Sequence, residues 1–211
     1  MQCPSSVAIE AIADGQWSLM SYEELDAHST HLFVILQQDY GIGLGSIVPI
    51  FLDQTADLPM AVIGILKAGA GYTPIPHDDS WPPERVCRVL LRCHATVLIL
   101  DTDVVPGVDI KTHNIPSLPS HVQSTWRATC AATPDSIAFV LWTSETTGEP
   151  KGAMMSPAAA LSCASSISDR LYPRSVEDCV FHFSSPAFDV SVVDYFATLS
   201  LGATLSSRAP V

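Results

Sequence analysis

The strongest constraint on the fold of this chain is a set of short apolar runs that alternate with amphipathic helical segments. Three runs stand out: IVPIFL (47–52), ATVLIL (95–100) and IAFVLW (137–142). Their shortness and their content of Ile, Leu and Val are typical of strands buried on both faces of a sheet. Pro49 lacks a backbone N–H, so we expect the first strand to avoid a central place in that sheet.

One helical segment precedes the first of these runs, and two lie between the first and the second. Residues 21–41 begin with a capping box, in which Ser21 is answered by Glu24, and end at Gly41. Two more helical segments follow, DLPMAVIGILKAG (57–69) and PERVCRVLLRCH (83–94). This order of helices and strands favours an α/β fold, with helices layered on a mainly parallel sheet.

Composition excludes several classes of protein. The chain has 211 residues, of which 47% are hydrophobic and 15% charged, so it is globular rather than disordered. A net charge of −12 argues against a nucleic-acid partner and against an anionic membrane surface. We find no signal peptide and no apolar run long enough to span a bilayer. The six cysteines show no metal-binding spacing, which predicts reduced thiols in a cytoplasmic protein.

The chain divides into three parts along its length. Residues 16–100 form the first α/β part, and 101–136 form an irregular, proline-containing connector with at most one short element. Residues 137–205 hold a strand, a Gly- and Thr-rich loop, a helix starting near Ser156–Pro157, the strand CVFHFS and a last helix from about Asp189.

The loop TSETTGEPKG (143–152) carries the most chemistry. It follows a buried strand and supplies hydroxyls, exposed amides and one cation, a combination that suits a phosphate site. An ordinary hairpin loop with residues chosen for turn formation explains the same composition equally well. The loop has neither the Walker A pattern nor a G-x-G-x-x-G pattern.

Four motifs in order resemble one family. TSETTGEPKGA resembles the phosphate-binding loop of the adenylate-forming (AMP-binding) enzymes, and LMSYEELDAHS, LKAGAGYTPIPHDDSWPPERV and FSSPAFDVSVVDYFATLSLGATL resemble other segments of the same family. The match covers roughly residues 16–205 and is strongest to adenylation domains of fungal nonribosomal peptide synthetases. The resemblance implies that residues 1–211 are a partial adenylation domain, the front part of the large N-terminal domain of that fold.

The resemblance also implies an activity. Enzymes of this family activate an amino acid or another carboxylic acid with ATP and Mg²⁺, giving an acyl-adenylate and pyrophosphate. The acyl group then passes to the phosphopantetheine thiol of a carrier-protein domain. Later segments of the family supply the catalytic Lys and the contacts to ribose and adenine, so we expect this chain alone to be inactive. We assign it no catalytic residue and no metal ligand.

Site residues follow from the motif positions. The residues that would hold the ATP phosphates are Thr143, Ser144, Thr146, Thr147, Gly148 and Lys151. Asp189 would bind the α-ammonium group of an amino-acid substrate, with Val190 and Val193 on the pocket side. Two alternatives stay open, since Lys151 is also compatible with a solvated surface position and Asp189 with a simple helix N-cap.

Other residues have simpler interpretations. Packing is the expected role of three aromatic residues and of a His in the strand CVFHFS, namely Tyr72, Trp81, Trp142 and His182. The arginines of the third helix are expected to form a solvated face; they are Arg85, Arg88 and Arg92.

The sequence departs from the family pattern at three positions. Glu145 replaces the usual Gly of the phosphate loop and brings a negative charge toward a polyanion, so we expect it to weaken nucleotide binding. His77 stands where Asp usually follows the Pro, and Pro157 where many relatives have His. Two other functions therefore stay open: an acyl-CoA or aryl-acid ligase of the same superfamily, or a catalytically dead binding or scaffold remnant.

Overall fold

The computed structural model describes residues 4–13, 16–77, 80–102, 109–115, 132–143, 150–171 and 175–208. They form ten strands and five helices in the following order: β1 (Val7–Ala13), β2 (Gln16–Ser21), α1 (Tyr22–Tyr40), β3 (Ile47–Phe51), α2 (Asp57–Lys67), β4 (Gly71–Pro74), α3 (Pro83–Arg92), β5 (Val97–Leu100), β6 (Lys111–Asn114), β7 (Phe139–Thr143), β8 (Lys151–Met155), α4 (Pro157–Leu171), β9 (Cys179–His182), α5 (Asp189–Leu201) and β10 (Thr204–Arg208).

The larger sheet has six strands in the order β6-β5-β3-β4-β7-β8. Its pairs are parallel except for β7 with β8, which are antiparallel neighbours joined by the predicted phosphate loop. The prediction of an α/β fold with a mainly parallel sheet is therefore confirmed. Because the carboxyl ends of β5, β3 and β4 lie side by side, residues that follow these strands meet at one edge of the sheet.

The expectation that Pro49 keeps β3 away from the centre of the sheet is wrong. β3 lies between β5 and β4. The carbonyl oxygen of Ile50 accepts a hydrogen bond from the backbone N–H of Ile75, just after β4, so the backbone groups of Ile50 face β4. Because successive residues of a strand point their backbone groups to opposite sides, those of Pro49 face β5. Pairing with β5 starts only at Ile50. The missing N–H of Pro49 therefore precedes the ladder on that side and costs no hydrogen bond.

Helices cover both faces of the larger sheet. β5 shows this most directly, because Val97 and Ile99 belong to the main core while Leu98 and Leu100 pack in a second cluster with α3. The main core joins α1, α2, β3, β4 and the smaller sheet. In α3, Val86, Val89 and Leu90 form the buried face.

The contact between α1 and α2 depends on a glycine. A Cβ at Gly64 would lie 3.0 Å from Leu32 Cδ2 and 3.0 Å from the carbonyl oxygen of Ser29. Next to this contact, Lys67 Nζ donates to the hydroxyls of Ser29 and Thr30, both at 2.8 Å, and pairs with Asp26. The backbone of α2 can approach α1 this closely because Gly64 has no side chain.

A smaller sheet has four strands in the order β2-β1-β10-β9. β9 matches the predicted strand CVFHFS, but β1, β2 and β10 were not predicted from the sequence. β1 and β2 form an antiparallel hairpin, and β10 pairs with β1 in parallel although almost two hundred residues separate them. Tyr22 Oη of α1 donates to the carbonyl oxygen of Ala203 at 2.7 Å, which fixes α1 against this sheet.

The proline-containing connector includes one short strand, β6, which extends the larger sheet beyond β5. Residues 103–108 and 116–131 of the connector lie outside the described part of the chain. Among the described helices, none is both long enough and apolar enough to cross a membrane.

Candidate functional site

The candidate site is a cavity of about 660 Å³ between the β7–β8 hairpin, the start of α3 and the segment that leads into α5. Thr143, at the end of β7, and Asp189, at the start of α5, both line it. These are two of the residues predicted from the motifs, one for phosphate and one for the substrate ammonium. Forty-six positions separate them in the sequence, and the fold brings them to one cavity.

The floor of this cavity is one face of the β7–β8 hairpin. Phe139, Leu141 and Thr143 alternate along β7 and line the cavity. Trp142 Nε1 donates to Thr73 Oγ1 at 2.9 Å, and Thr73 Oγ1 donates to the carbonyl oxygen of Val140 at 2.7 Å. This pair of hydrogen bonds ties β7 to β4, so the strand that leads into the predicted phosphate loop is held to the sheet.

Gly152 allows β8 to lie against β7. A Cβ at this position would approach Val140 Cγ1 to 2.8 Å and the Trp142 ring to 3.2 Å. The glycine after the motif lysine therefore has a packing reason, independent of any ligand.

The predicted phosphate residues lie at the end of this hairpin. Thr143 and Lys151 are directly paired across β7 and β8, and Thr143 Oγ1 contacts the carbonyl oxygen of Lys151 at 3.4 Å. Both side chains belong to exposed residues. The other predicted residues of the loop, Ser144, Thr146, Thr147 and Gly148, lie outside the described residues, as does Glu145.

Asp189 is the first residue of α5 rather than its N-cap. Phe188 occupies the N-cap position with extended dihedral angles and makes no capping hydrogen bond through its side chain. The N-cap alternative for Asp189 is therefore wrong. The carboxylate remains in the first turn, where the positive end of the helix dipole favours a negative charge. It is exposed, and it lines the cavity.

The two valines predicted on the pocket side differ in their surroundings. Val190 is half exposed, whereas Val193 is buried and packs with Ala164 of α4 and Ala197 of α5. Neither is among the residues that line the cavity. A role for them in substrate selection stays a prediction.

Sequence reasoning missed the side of the cavity at the start of α3. Trp81, just before α3, and Arg85 of α3 line the cavity, with the Arg85 guanidinium carbon 4.2 Å from the centre of a Trp81 ring. Trp142 of β7 lines the cavity as well. Arg85 therefore does not belong to a fully solvated face, although Arg88 and Arg92 are exposed as expected. Trp81 at the entry to a helix with Arg four residues later is a spacing that indicates a stacked pair.

A second cavity, of about 290 Å³, lies beside the first and shares Ser185 with it. Asp53 and His77 line it, and His77 also contacts Asp101. Burial raises the pKa of Asp53, whereas nearby His77 lowers it and Asp101 raises it again. Burial, with the negative charge of Asp101, also raises the pKa of Asp57. Two carboxylates, those of Asp53 and Asp101, contact the one imidazole of His77.

His182 is a buried residue at the end of β9, in agreement with the expected packing role. Its ring lies 4.7 Å from that of Tyr195, measured between centroids. Burial lowers the pKa of His182 to about 4, so the imidazole is neutral near pH 7. Tyr72 is buried too, and its ring packs against Phe139 with 5.8 Å between centroids.

Proteins of known sequence and structure share this architecture. Nonribosomal peptide synthetase sidC of Aspergillus fumigatus is 33% identical over 201 residues, a match that covers 89% of this chain and 4% of that protein. The FmoA3 nonribosomal peptide synthetase, solved with AMPPNP bound, superposes with a TM-score of 0.83 at 26% identity, over 99% of this chain and 21% of its own.

The four-domain nonribosomal peptide synthetase AB3403, solved with AMP and glycine bound, gives a TM-score of 0.79 at 27% identity, over 96% of this chain and 14% of its own. This chain thus spans only a small part of the proteins that it resembles. The AMP-binding enzyme family model matches residues 2–210. The chain belongs to the AMP-binding enzyme family.

Proposed function

We propose that this chain is part of an adenylation domain that activates an amino acid with ATP, giving an aminoacyl-adenylate and pyrophosphate. The observation that carries the proposal is the shared cavity of Thr143 and Asp189. Thr143 ends the strand that leads into the predicted phosphate loop, and Asp189 presents a carboxylate to the same cavity. A substrate lying between them would have its ammonium group at Asp189 and its carboxylate toward the nucleotide.

The phosphate end works by charge and position. Lys151 supplies a cation next to Thr143, and the hydroxyls and amides of the loop add hydrogen-bond donors. Such a group of donors neutralises the charge of the triphosphate and aims its α-phosphorus at the substrate carboxylate. The negative charge of Glu145 is expected to oppose this, since two like unit charges about 4 Å apart repel by roughly 4 kcal/mol at an effective dielectric of 20.

The substrate end selects for an amine. A carboxylate that forms an ion pair with the ammonium group of the substrate is left unpaired by an acid that lacks the amine. Asp189 therefore favours an amino acid over the substrates of acyl-CoA or aryl-acid ligases. The aromatic residues that line the cavity suit an apolar part of the substrate; they include Trp81, Trp142 and Phe188.

Magnesium would accompany the ATP phosphates. Among the described residues that line the cavity, Asp189 is the one carboxylate, and the proposal assigns it to the amine. The described residues of the cavity therefore leave no further carboxylate to hold Mg²⁺. A carrier-protein domain is the expected acceptor of the acyl group, and free cysteines such as Cys87 and Cys93 support a cytoplasmic location.

The test is amino-acid-dependent exchange of pyrophosphate into ATP by a protein that carries the whole adenylation domain. Asp189→Asn should abolish exchange but leave AMPPNP binding unchanged, while Lys151→Ala should weaken AMPPNP binding at least tenfold, about 1.4 kcal/mol. Asp135→Asn and Lys111→Ala are matched controls, because both residues are exposed and do not line the cavity.

Three results would contradict the proposal. Full exchange by Asp189→Asn would remove the role of the carboxylate. Preferred activation of acids that lack the amine, tested as pairs such as phenylalanine and 3-phenylpropionate, would favour the ligase alternative. Absence of AMPPNP binding would favour the scaffold alternative. The 211-residue chain alone should show no exchange.

A further inference from the structure

Three side chains from separate parts of the sequence meet at the carboxyl edge of the larger sheet. Asp53 follows β3, His77 follows β4 and Asp101 follows β5, and these are adjacent parallel strands. His77 Nδ1 lies 3.0 Å from Asp53 Oδ1, and His77 Nε2 lies 3.1 Å from Asp101 Oδ1. One atom from each of the three residues lies within 4.8 Å of the others.

The cluster is held in place by its surroundings. The backbone N–H of Asp53 donates to Asp101 Oδ2 at 2.7 Å, which fixes that carboxylate. The ring of Phe51 lies against the imidazole, with 4.5 Å between centroids. The side chains are partly shielded from solvent, with exposed fractions of 26% for His77, 34% for Asp53 and 15% for Asp101. The arrangement is therefore defined before any ligand arrives.

We propose that Asp53 and His77 bind a divalent first-row metal ion, with Asp101 orienting the imidazole. An imidazole offers one nitrogen to an ion. Ligands at about 2.1 Å from one ion, at angles between 90° and the tetrahedral angle, lie about 3.0–3.4 Å apart. The separation of 3.0 Å between His77 Nδ1 and Asp53 Oδ1 fits this range.

The two nitrogens of His77 have different environments, which decides the side that the ion occupies. Asp53 and His77 line the cavity of about 290 Å³, whereas Asp101 does not, and one of its oxygens already accepts the Asp53 N–H. The ion therefore lies on the Nδ1 side, where the cavity leaves space for water or ligand oxygens. The Nε2–H donates to Asp101, as metal-bound imidazoles commonly donate to a carboxylate.

Charge and donor type point to the class of ion. One imidazole nitrogen and one carboxylate oxygen suit Mn²⁺, Co²⁺ or Zn²⁺. Among the described residues that line this cavity there is no lysine or arginine. The carboxylates of Asp53 and Asp101 both contact His77, and their negative charge favours a cation at this place.

The experiment is a titration of the whole chain with Mn²⁺ in the absence of nucleotide, followed by electron paramagnetic resonance and by the melting temperature. We expect one saturable ion per chain and a metal-dependent rise in melting temperature. His77→Ala and Asp53→Asn should each weaken binding at least tenfold, and Asp101→Asn by about tenfold. His31→Ala in α1 is the matched control and should bind as the parent does.

Two results would overturn the proposal. One is the absence of saturable binding, which would mean that the three side chains contact one another without holding an ion. The other is binding that persists in both His77→Ala and Asp53→Asn, which would place the ion elsewhere. Asp53→Asn keeps the shape of the side chain, so the conclusion stands even if His77→Ala fails to fold. Because nucleotide is absent, the outcome is independent of the proposed adenylation activity.

Discussion

Two regions of this molecule cover their apolar surface to different degrees. The early region, from α1 to β5 (Tyr22–Leu100), has a sheet packed on both faces by helices. The late region, from β7 to β10 (Phe139–Arg208), exposes large apolar side chains, with exposed fractions of 82% for Phe183, 68% for Met154 and 65% for Phe188.

The sheet edges show the same difference. β8 ends the larger sheet with all five residues exposed, and β9 ends the smaller one. In the early region, by contrast, the central strands have neighbours on both sides. The early region buries most of its large apolar side chains in a core that it shares with the late region, although Leu44 and Leu91 are exposed. The late region in addition presents exposed apolar side chains and strand edges, features that favour contact with further protein.

The largest expected loss of stability comes from creating a cavity in the core of the early region. Leu32 is fully buried at the contact of α1 with α2, so Leu32→Ala should lower the free energy of unfolding by about 2–5 kcal/mol. Leu161→Ala in α4 should change it by less than about 0.5 kcal/mol, because Leu161 is half exposed. Urea unfolding followed by circular dichroism measures both. Equal losses would remove the distinction between the regions.

Acid should weaken the late region through His182. The folded state holds its pKa at about 4, below the ordinary value of 6.5, so only the unfolded chain takes up the proton as the pH falls between these values. At pH 5 this costs up to about 2 kcal/mol relative to neutral pH.

The measurement is the free energy of unfolding at pH 7.5 and pH 5. His182→Phe keeps a ring at this position and should reduce the loss on acidification. The control His94→Asn replaces an exposed residue whose positive φ suits Asn. A loss on acidification that is the same in His182→Phe and in the parent would contradict this cause.

Replacing the N-cap residue of a helix should also affect the two regions differently, by a smaller change in the free energy of unfolding. α1 has a complete capping box between Ser21 and Glu24, so Ser21→Ala should cost about 1 kcal/mol. α5 begins without a side-chain cap at Phe188, and Phe188→Ala should change the free energy of unfolding by less than about 0.5 kcal/mol. Thermal unfolding of the two variants compares them directly, and a larger loss in Phe188→Ala would reverse the expected order.

The smallest effect on stability, below about 0.5 kcal/mol, is expected from polar replacement of the exposed apolar residues. The double variant Met154→Ser, Phe183→Ser should bind less of a fluorescent dye that reports apolar surface. Leu44→Ser, at an exposed site of the early region, should leave dye binding unchanged. Equal dye binding by all three proteins would show that the late region has no apolar patch.

Sequence alone predicted the elements whose signals are local. The capping box of Ser21 and the left-handed Gly41 set the ends of α1. Ser156 and Pro157 set the start of α4, where Ser156 Oγ accepts from the N–H of Ala159 at 3.3 Å. The motifs also indicated Thr143 and Asp189, although not that they line one cavity. Each signal lies within a few residues, because caps, turns and apolar periodicity act through neighbouring backbone groups.

Tertiary structure decided everything that depends on which strands become neighbours. Pro49 lies in a central strand because β5 pairs only beyond it, and β10 joins β1 across nearly the whole chain. Asp53, His77 and Asp101 meet because three parallel strands end at one edge. Strand order and register follow from how the whole sheet buries its two faces, and no short stretch of sequence carries that information.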